Sequence, residues 1–115
     1  MPFTMPDNYN KLKANGEPKS TNTIAMYRTH LNKIADATGY TTVEEFIAHI
    51  KPVVKAIDAI CVQKEDEPLS TFRARKRVFY SAIFMVLPAS MTSQPNGFYL
   101  ANKHLQDGNP ADFKK

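Results

Sequence analysis

The chain has 115 residues and a mass of 13.0 kDa, which is enough for one domain with a modest hydrophobic core. Hydrophobic residues make up 43% and charged residues 23%, as in ordinary globular proteins, and the net charge is +4. No apolar run approaches the ~20 residues that span a bilayer, and the N-terminus lacks the pattern of a signal peptide. The sequence therefore predicts an intracellular protein that binds no membrane.

Three regions are expected along the chain. Residues 1–19 contain three prolines and few apolar positions, which predicts a flexible, mostly irregular arm. Residues 20–108 are expected to form a helical domain, and residues 109–115 a tail or the start of a linker. No run alternates strictly between apolar and polar residues as a half-buried strand does, so the predicted fold class is all-α, a bundle of four or five helices.

The first helix is predicted from Thr21 to Thr38, because apolar side chains recur there at steps of three and four residues. Ser20 or Thr21 can cap its start. Gly39 follows as the expected left-handed residue that ends the helix.

The second helix is short and is expected to start at Thr42, with Glu45 at the spacing of a capping box. Pro52 follows and suits the first turn of a third helix. The chain's single cysteine cannot form an internal disulfide, which suits a reducing compartment, and its apolar neighbours favour a buried packing role. The packing side of the third helix is predicted to comprise Val53, Ile57, Ile60 and Cys61.

The fourth helix is predicted from Thr71 to Leu87, capped by Ser70 or Thr71 and ended by Pro88. A charged loop over residues 64–68 precedes it. The apolar side chains of this helix are expected to form the centre of the core, through Phe79, Ala82, Ile83 and Val86.

The C-terminal part of the chain is expected to begin with a loop over residues 89–96, because polar residues and proline are frequent there. A last short helix is predicted from about Phe98 to Gln106.

Residue types that carry catalysis are not arranged for it in this sequence. His30, His49 and His104 do not fall at metal-ligand spacings, and no glycine-rich phosphate loop is present. Glu44 and Glu45 suit the first turn of a helix, where the helix dipole favours negative charge. We therefore expect no metal, no cofactor and no enzymatic activity.

Positive charge is concentrated in the fourth helix. Residues 70–87 carry four basic residues and no acid, whereas the other 11 basic residues balance the 11 acidic ones. At 100° per residue, Arg73, Arg77 and Tyr80 share a stripe that continues to Phe84, with Lys76 beside it. Such a stripe suits phosphates and a major groove; the alternative is an ordinary solvated helix face.

Arg75 is predicted to point the other way, towards the core side near the helix start, where it could form an ion pair.

Three motifs resemble one known family, the N-terminal core-binding domain of tyrosine recombinases, or phage integrases. The first helix reads STNTIAMYRTHLNKI over residues 20–34, similar to the opening S-x-x-T-x-x-x-Y-x-x-x-L of these domains. The fourth helix has Ser-Thr at its start and Ser-Ala-Ile over residues 81–83, and GNPA over residues 108–111 resembles the end of the domain. Residues 91–99 form an insertion relative to the family pattern.

The resemblance implies a SAM-like helical bundle that grips duplex DNA for recombination or integration, with the catalytic residues in a separate domain. It implies that the first and fourth helices lie along the major groove. By position, the implied DNA-binding residues are Asn22, Arg28, Thr29 and Lys33 of the first helix and Arg73, Lys76, Arg77 and Tyr80 of the fourth.

Two situations fit this resemblance: a piece of a longer recombinase, or a stand-alone protein that kept the DNA-binding half, for instance in a large DNA virus. A competing interpretation is a protein–protein module, such as a virion component. Its exposed apolar residues would be Phe84, Met85, Phe98 and Tyr99. A small regulator that pairs with a full-length recombinase, or with its catalytic domain, is a third possibility.

Overall fold

The computed structural model describes residues 2–7, 9–12 and 15–107, and helices make up most of this part of the chain. Within it no β-strand is present, only an isolated antiparallel bridge between Leu12 and Pro18. The prediction of an all-α fold is confirmed for these residues, and none of their helices is long and apolar enough to cross a membrane. The helices are α1 (Thr21–Thr38), α2 (Val43–Ala48), α3 (Ile50–Ile60), α4 (Leu69–Val86), α5 (Ala89–Thr92), α6 (Gly97–Ala101) and α7 (Lys103–Asp107).

Helix α4 lies at the centre of the molecule. It packs against α1 and α7, and α1 also packs against α3. Each of these helices contributes apolar or aromatic side chains that are completely buried. These side chains are Leu31 and Ile34 of α1, Val53 and Ile57 of α3, Tyr80 and Ile83 of α4, and Leu105 of α7.

Local signals place both ends of α1 where the sequence predicts them. The Ser20 hydroxyl accepts a hydrogen bond from Thr23 N at 3.1 Å. At the other end Gly39 adopts a φ of 82°, and its N–H donates to Ala35 O at 2.8 Å. Glycine takes this left-handed conformation without the steric cost of a Cβ atom.

Helix α2 also begins at its predicted cap. Thr42 Oγ1 accepts a hydrogen bond from Glu45 N at 3.2 Å. Glu45 Oε1 accepts in return from Thr41 N at 2.9 Å, one residue before the cap, and this donation is the main reason that the pKa of the Glu45 carboxyl is lowered.

In α3 the predicted packing side is confirmed except at one position. Pro52 lies in the first turn, where a missing N–H removes no helical hydrogen bond. Val53 and Ile57 are buried and so is Cys61, but Ile60 is exposed at the end of the helix. Burial raises the pKa of the Cys61 thiol, in keeping with a packing role.

Helix α4 begins two residues before its predicted start. Pro68 is its N-cap, and no side chain forms a capping hydrogen bond, so the prediction that Ser70 or Thr71 caps the helix is wrong. Pro68 has a φ of −60°, which already matches a helical entry, and the chain turns into the helix directly after it. The predicted core side is confirmed: Phe79, Ala82, Ile83 and Val86 are all buried.

The C-terminal part differs from its prediction in two places. Residues 89–92, expected in a loop, form the single helical turn α5. The predicted last helix is divided into α6 and α7 by Asn102, whose backbone leaves the helical region at φ −128°. Asn96 caps α6 by accepting from Phe98 N at 2.8 Å. The GNPA motif and the predicted tail over residues 109–115 lie outside the described residues.

The N-terminal arm is irregular, as predicted, but it is attached to the domain rather than free. Phe3 is only 5% exposed and packs on Phe46 with ring centroids 4.8 Å apart. Its backbone N–H donates to Asn32 Oδ1 at 2.7 Å. Further along, Asn10 N donates to Met85 O at 2.8 Å. The boundary drawn at residue 20 therefore separates residues that share one core.

Replacing Phe3 by alanine is expected to lower the free energy of unfolding by about 2–4 kcal/mol, because it removes a buried ring and leaves a cavity beside Phe46. Leu12→Ala is the control in the same arm, since Leu12 is 50% exposed, and it should change stability by less than about 0.5 kcal/mol. Urea denaturation measures both. Equal stability of the Phe3→Ala variant and the parent would contradict the packing of the arm.

Candidate nucleic-acid interface

Two arginines form the exposed basic part of α4. Arg73 and Arg77 are both exposed and stand one helical turn apart, within about 40° of each other around the axis. The helix contains no acidic residue from Leu69 to Val86. Neither guanidinium forms an ion pair with any residue that the structure describes. These two side chains can therefore present ten N–H donors to an anionic partner.

The third arginine of the helix forms an ion pair within the chain, as predicted. Arg75 Nε and Nη2 donate to the two carboxylate oxygens of Glu67 at 2.6 Å each. Nη2 also donates to Val62 O at 3.0 Å. This bidentate geometry holds the pKa of the Glu67 carboxyl at about 2, below its ordinary value of 4.5, chiefly through the Arg75 hydrogen bonds.

Lys76 does not belong to the exposed stripe, and its predicted role in binding DNA is wrong. The residue is 6% exposed, and its ammonium group forms an ion pair with Asp58 of α3. The ammonium also lies over the ring of Phe72, 5.3 Å from the centroid. The C-terminal end of α3 supplies Asp58 on this side of α4, which a helical wheel of α4 alone does not reveal.

Tyr80 also does not lie on the exposed stripe where the helical wheel puts it. It is completely buried, because α7 covers it and the His104 ring packs edge-on against it with centroids 5.6 Å apart. Burial raises the pKa of the Tyr80 hydroxyl. Tyr80 is a core residue, so the prediction that its side chain contacts DNA is wrong.

The predicted residues of α1 are all exposed, but they do not share one face. Asn22, Thr29 and Lys33 lie within about 20° of one line along the helix, whereas Arg28 is rotated by about 120° from that line. Thr29 Oγ1 donates to Ala25 O at 3.0 Å, so its hydroxyl proton is already engaged. The exposed side chains of Asn22 and Lys33 form no hydrogen bond or ion pair with a residue in the described ranges.

Helices α1 and α4 run in opposite directions where they meet. Thr23 and Tyr27 line the same cleft as Met85, near the C-terminal end of α4, while His30 stacks edge-on against Phe79 at 4.6 Å. The C-terminal half of α1, which carries Lys33, therefore lies beside the basic N-terminal half of α4.

The histidines hold structural positions. The His49 ring stacks on Tyr40 at 4.5 Å, in addition to the His30 and His104 contacts with aromatic rings. In the described part of the chain, no group of three or more His, Cys, Asp or Glu side chains is arranged to hold a metal ion.

The apolar patch named for the protein–protein interpretation does not form. Met85 and Tyr99 are buried at 3% and 6% exposure. Phe84 and Phe98 are half-buried and pack against the core cluster. These four side chains therefore belong mainly to the interior.

A second exposed pair of cations was not identified from the sequence. Lys51 and Lys55 stand one turn apart on α3 and line a groove with residues of α6 and α7. Their spacing of four residues is the signal that would have revealed them. Asp58 in the same helix offsets one of these two charges.

Comparisons with protein-family models, with curated proteins and with solved structures find no match to this chain. The resemblance to the core-binding domain of tyrosine recombinases therefore stays a prediction.

Because the pKa of Glu67 is depressed in the folded protein, its pairing stabilises the fold above pH 4.5, and this stabilisation is lost as the pH falls towards about 2. Glu67→Gln should lower the urea midpoint at neutral pH and flatten its dependence on pH over that range. Glu65→Gln, an exposed position of the same loop, is the control and should behave as the parent does. Parallel pH curves for Glu67→Gln and the parent would contradict the role of this ion pair.

Proposed function

We propose that this chain is a non-catalytic module that binds duplex DNA through the exposed basic part of α4 and the adjoining face of α1. The observation that carries the proposal is the pair Arg73 and Arg77, exposed on one stripe of a helix without acidic residues. Arginine is suited to this task because its planar fork binds phosphate oxygens, or the O6 and N7 atoms of guanine, with two hydrogen bonds.

The local charge arrangement supports a functional role for the pair. Like charges four residues apart on a helix destabilise it by about 0.2–0.5 kcal/mol. Arg75 and Lys76 each pair with an acid, whereas Arg73 and Arg77 form no ion pair with a described residue. An anionic partner would remove their mutual repulsion, and duplex DNA carries phosphates along both sides of a groove that admits a helix.

The surface of α1 extends this site alongside α4. Lys33 lies at the level of the basic half of α4 and would add a phosphate contact. Asn22 lies nearer the N-terminal end of α1 and would add a neutral hydrogen-bonding group. Thr29 would contribute as an acceptor, because its proton is donated to Ala25 O.

The resemblance stated from the sequence supports the same surface, since it implies DNA contacts by the first and fourth helices. It also implies that strand cleavage, if it occurs, requires residues of a separate catalytic domain. The proposed module would act where duplex DNA is accessible, inside a cell or in a virion. A narrower form of this proposal is that the module recognises the specific DNA sequence of a recombination site.

Arg73→Ala/Arg77→Ala is expected to weaken binding to a random-sequence duplex by about 10- to 100-fold, because two charge-assisted contacts to phosphates are lost. Fluorescence anisotropy between 50 and 200 mM NaCl should show the slope of log affinity against log salt falling by about 2 units. The thermal midpoint should be unchanged or slightly higher, since a like-charge pair is removed.

The matched control is Lys51→Ala/Lys55→Ala, which also removes two exposed cations one turn apart but from α3. This variant should bind duplex DNA within about twofold of the parent, which separates the α4 site from the effect of net charge. DNA binding is excluded as a function of α4 if both double variants bind the duplex as the parent does.

A finer test compares two cations of α1. Lys33→Ala should weaken duplex binding about threefold and lower the salt slope by about 1, because Lys33 lies beside the basic half of α4. Arg28→Ala should have a smaller effect, since Arg28 projects from another side of the helix. A larger loss for Arg28→Ala in the same anisotropy assay would place the DNA on a different face of α1.

A further inference from the structure

A groove of about 550 Å³ lies between α3 and the α6–α7 segment. Ile50 and Val54 of α3 and Ala101 of α6 form its apolar lining, and both α3 side chains are half-buried against the core. Sites for small molecules in proteins usually have volumes of about 300–1,000 Å³, with mainly apolar walls and a few polar groups. The groove has the size and composition of such a site.

The charges around the groove favour an anion. Lys51 and Lys55 line it, are exposed and form no ion pair with a residue in the described ranges. Among the lining residues whose side chains the structure describes, Asp58 is the only acid, and it is paired with Lys76. A ligand in the groove therefore meets two ammonium groups whose charge is not balanced by any of these described lining residues.

We propose that this groove binds an amphiphilic carboxylate, a small molecule with an aliphatic body and one negative head group. The aliphatic body lies against Ile50, Val54 and Ala101, where burial of apolar surface drives binding. The carboxylate lies between the ammonium groups of Lys51 and Lys55, one turn apart on α3. A neutral apolar molecule gains only the first of these interactions, and an organic cation is repelled by the second.

This site does not depend on the proposed DNA binding, because it uses other helices and other cations than Arg73 and Arg77. Each proposal can also be contradicted without affecting the other. Duplex affinity tests the α4 surface, and affinity for a short fatty acid tests the groove.

The probes are octanoate and 1-octanol, which share an eight-carbon chain and differ in the charged head group. Titration of the full chain, followed by backbone amide NMR shifts, should give saturable binding of octanoate at least tenfold tighter than that of octanol. The shifts should concentrate at Val54, Ala101 and their neighbours in α3 and α6. Equal binding of the two probes, shifts centred elsewhere, or no saturable binding would overturn the proposal.

Lys51→Gln/Lys55→Gln should reduce octanoate affinity to that of octanol and leave octanol affinity unchanged. Lys11→Gln/Lys64→Gln, which removes the same charge from exposed positions outside the groove, should keep the tenfold preference. Ala101→Phe narrows the groove without changing its charge and should weaken the binding of both octanoate and octanol. If the α3 variant loses duplex affinity and retains its preference for octanoate, these lysines serve nucleic acid, and the groove proposal is wrong.

Discussion

The rest of the structure depends on how α4 is packed. Its C-terminal half is buried by other helices, whereas its N-terminal half is fixed by ion pairs and stays partly exposed. The C-terminal half is enclosed by α1 and α7, so nearly every side chain from Phe79 onwards is buried. Two ion pairs fix the N-terminal half against the preceding loop and α3: Arg75 with Glu67, and Lys76 with Asp58. With these contacts made, only one sector of that half is left for solvent or a partner.

Four cations within five consecutive residues thus have three different roles. Arg75 closes the turn between α3 and α4 through a bidentate pair and a carbonyl contact. Lys76 joins α4 to α3 by a largely buried ammonium, whose removal would leave Asp58 without its partner. Arg73 and Arg77 remain outside. The number of cations in the sequence of α4 overstates the charge available for binding, because two of the four, Arg75 and Lys76, are paired with acids of the same chain.

Sequence reasoning succeeded at three helix ends whose determinants are local, although the local cap predicted for α4 was wrong. The ends of α1 depend on Ser20 and Gly39, and the start of α2 on Thr42, each within four residues of the groups it contacts. It failed at Lys76 and Tyr80, since their burial depends on α3 and α7, which are distant in the chain. The outward positions of Arg73 and Arg77 were predicted, whereas the groove beside Lys51 needed the placement of α6 and α7.

The arm was misjudged for a related reason: a single aromatic residue has no periodicity, so nothing near Phe3 indicated that Phe46 would cover it. Its attachment has a kinetic consequence. The hydrogen bond from Asn10 to Met85 joins residues separated by most of the helical domain, and such distant closure is slow compared with helix formation. The arm would therefore be among the last of the described segments to reach its native contacts, and the face of Phe46 that Phe3 covers would stay open to solvent until it does.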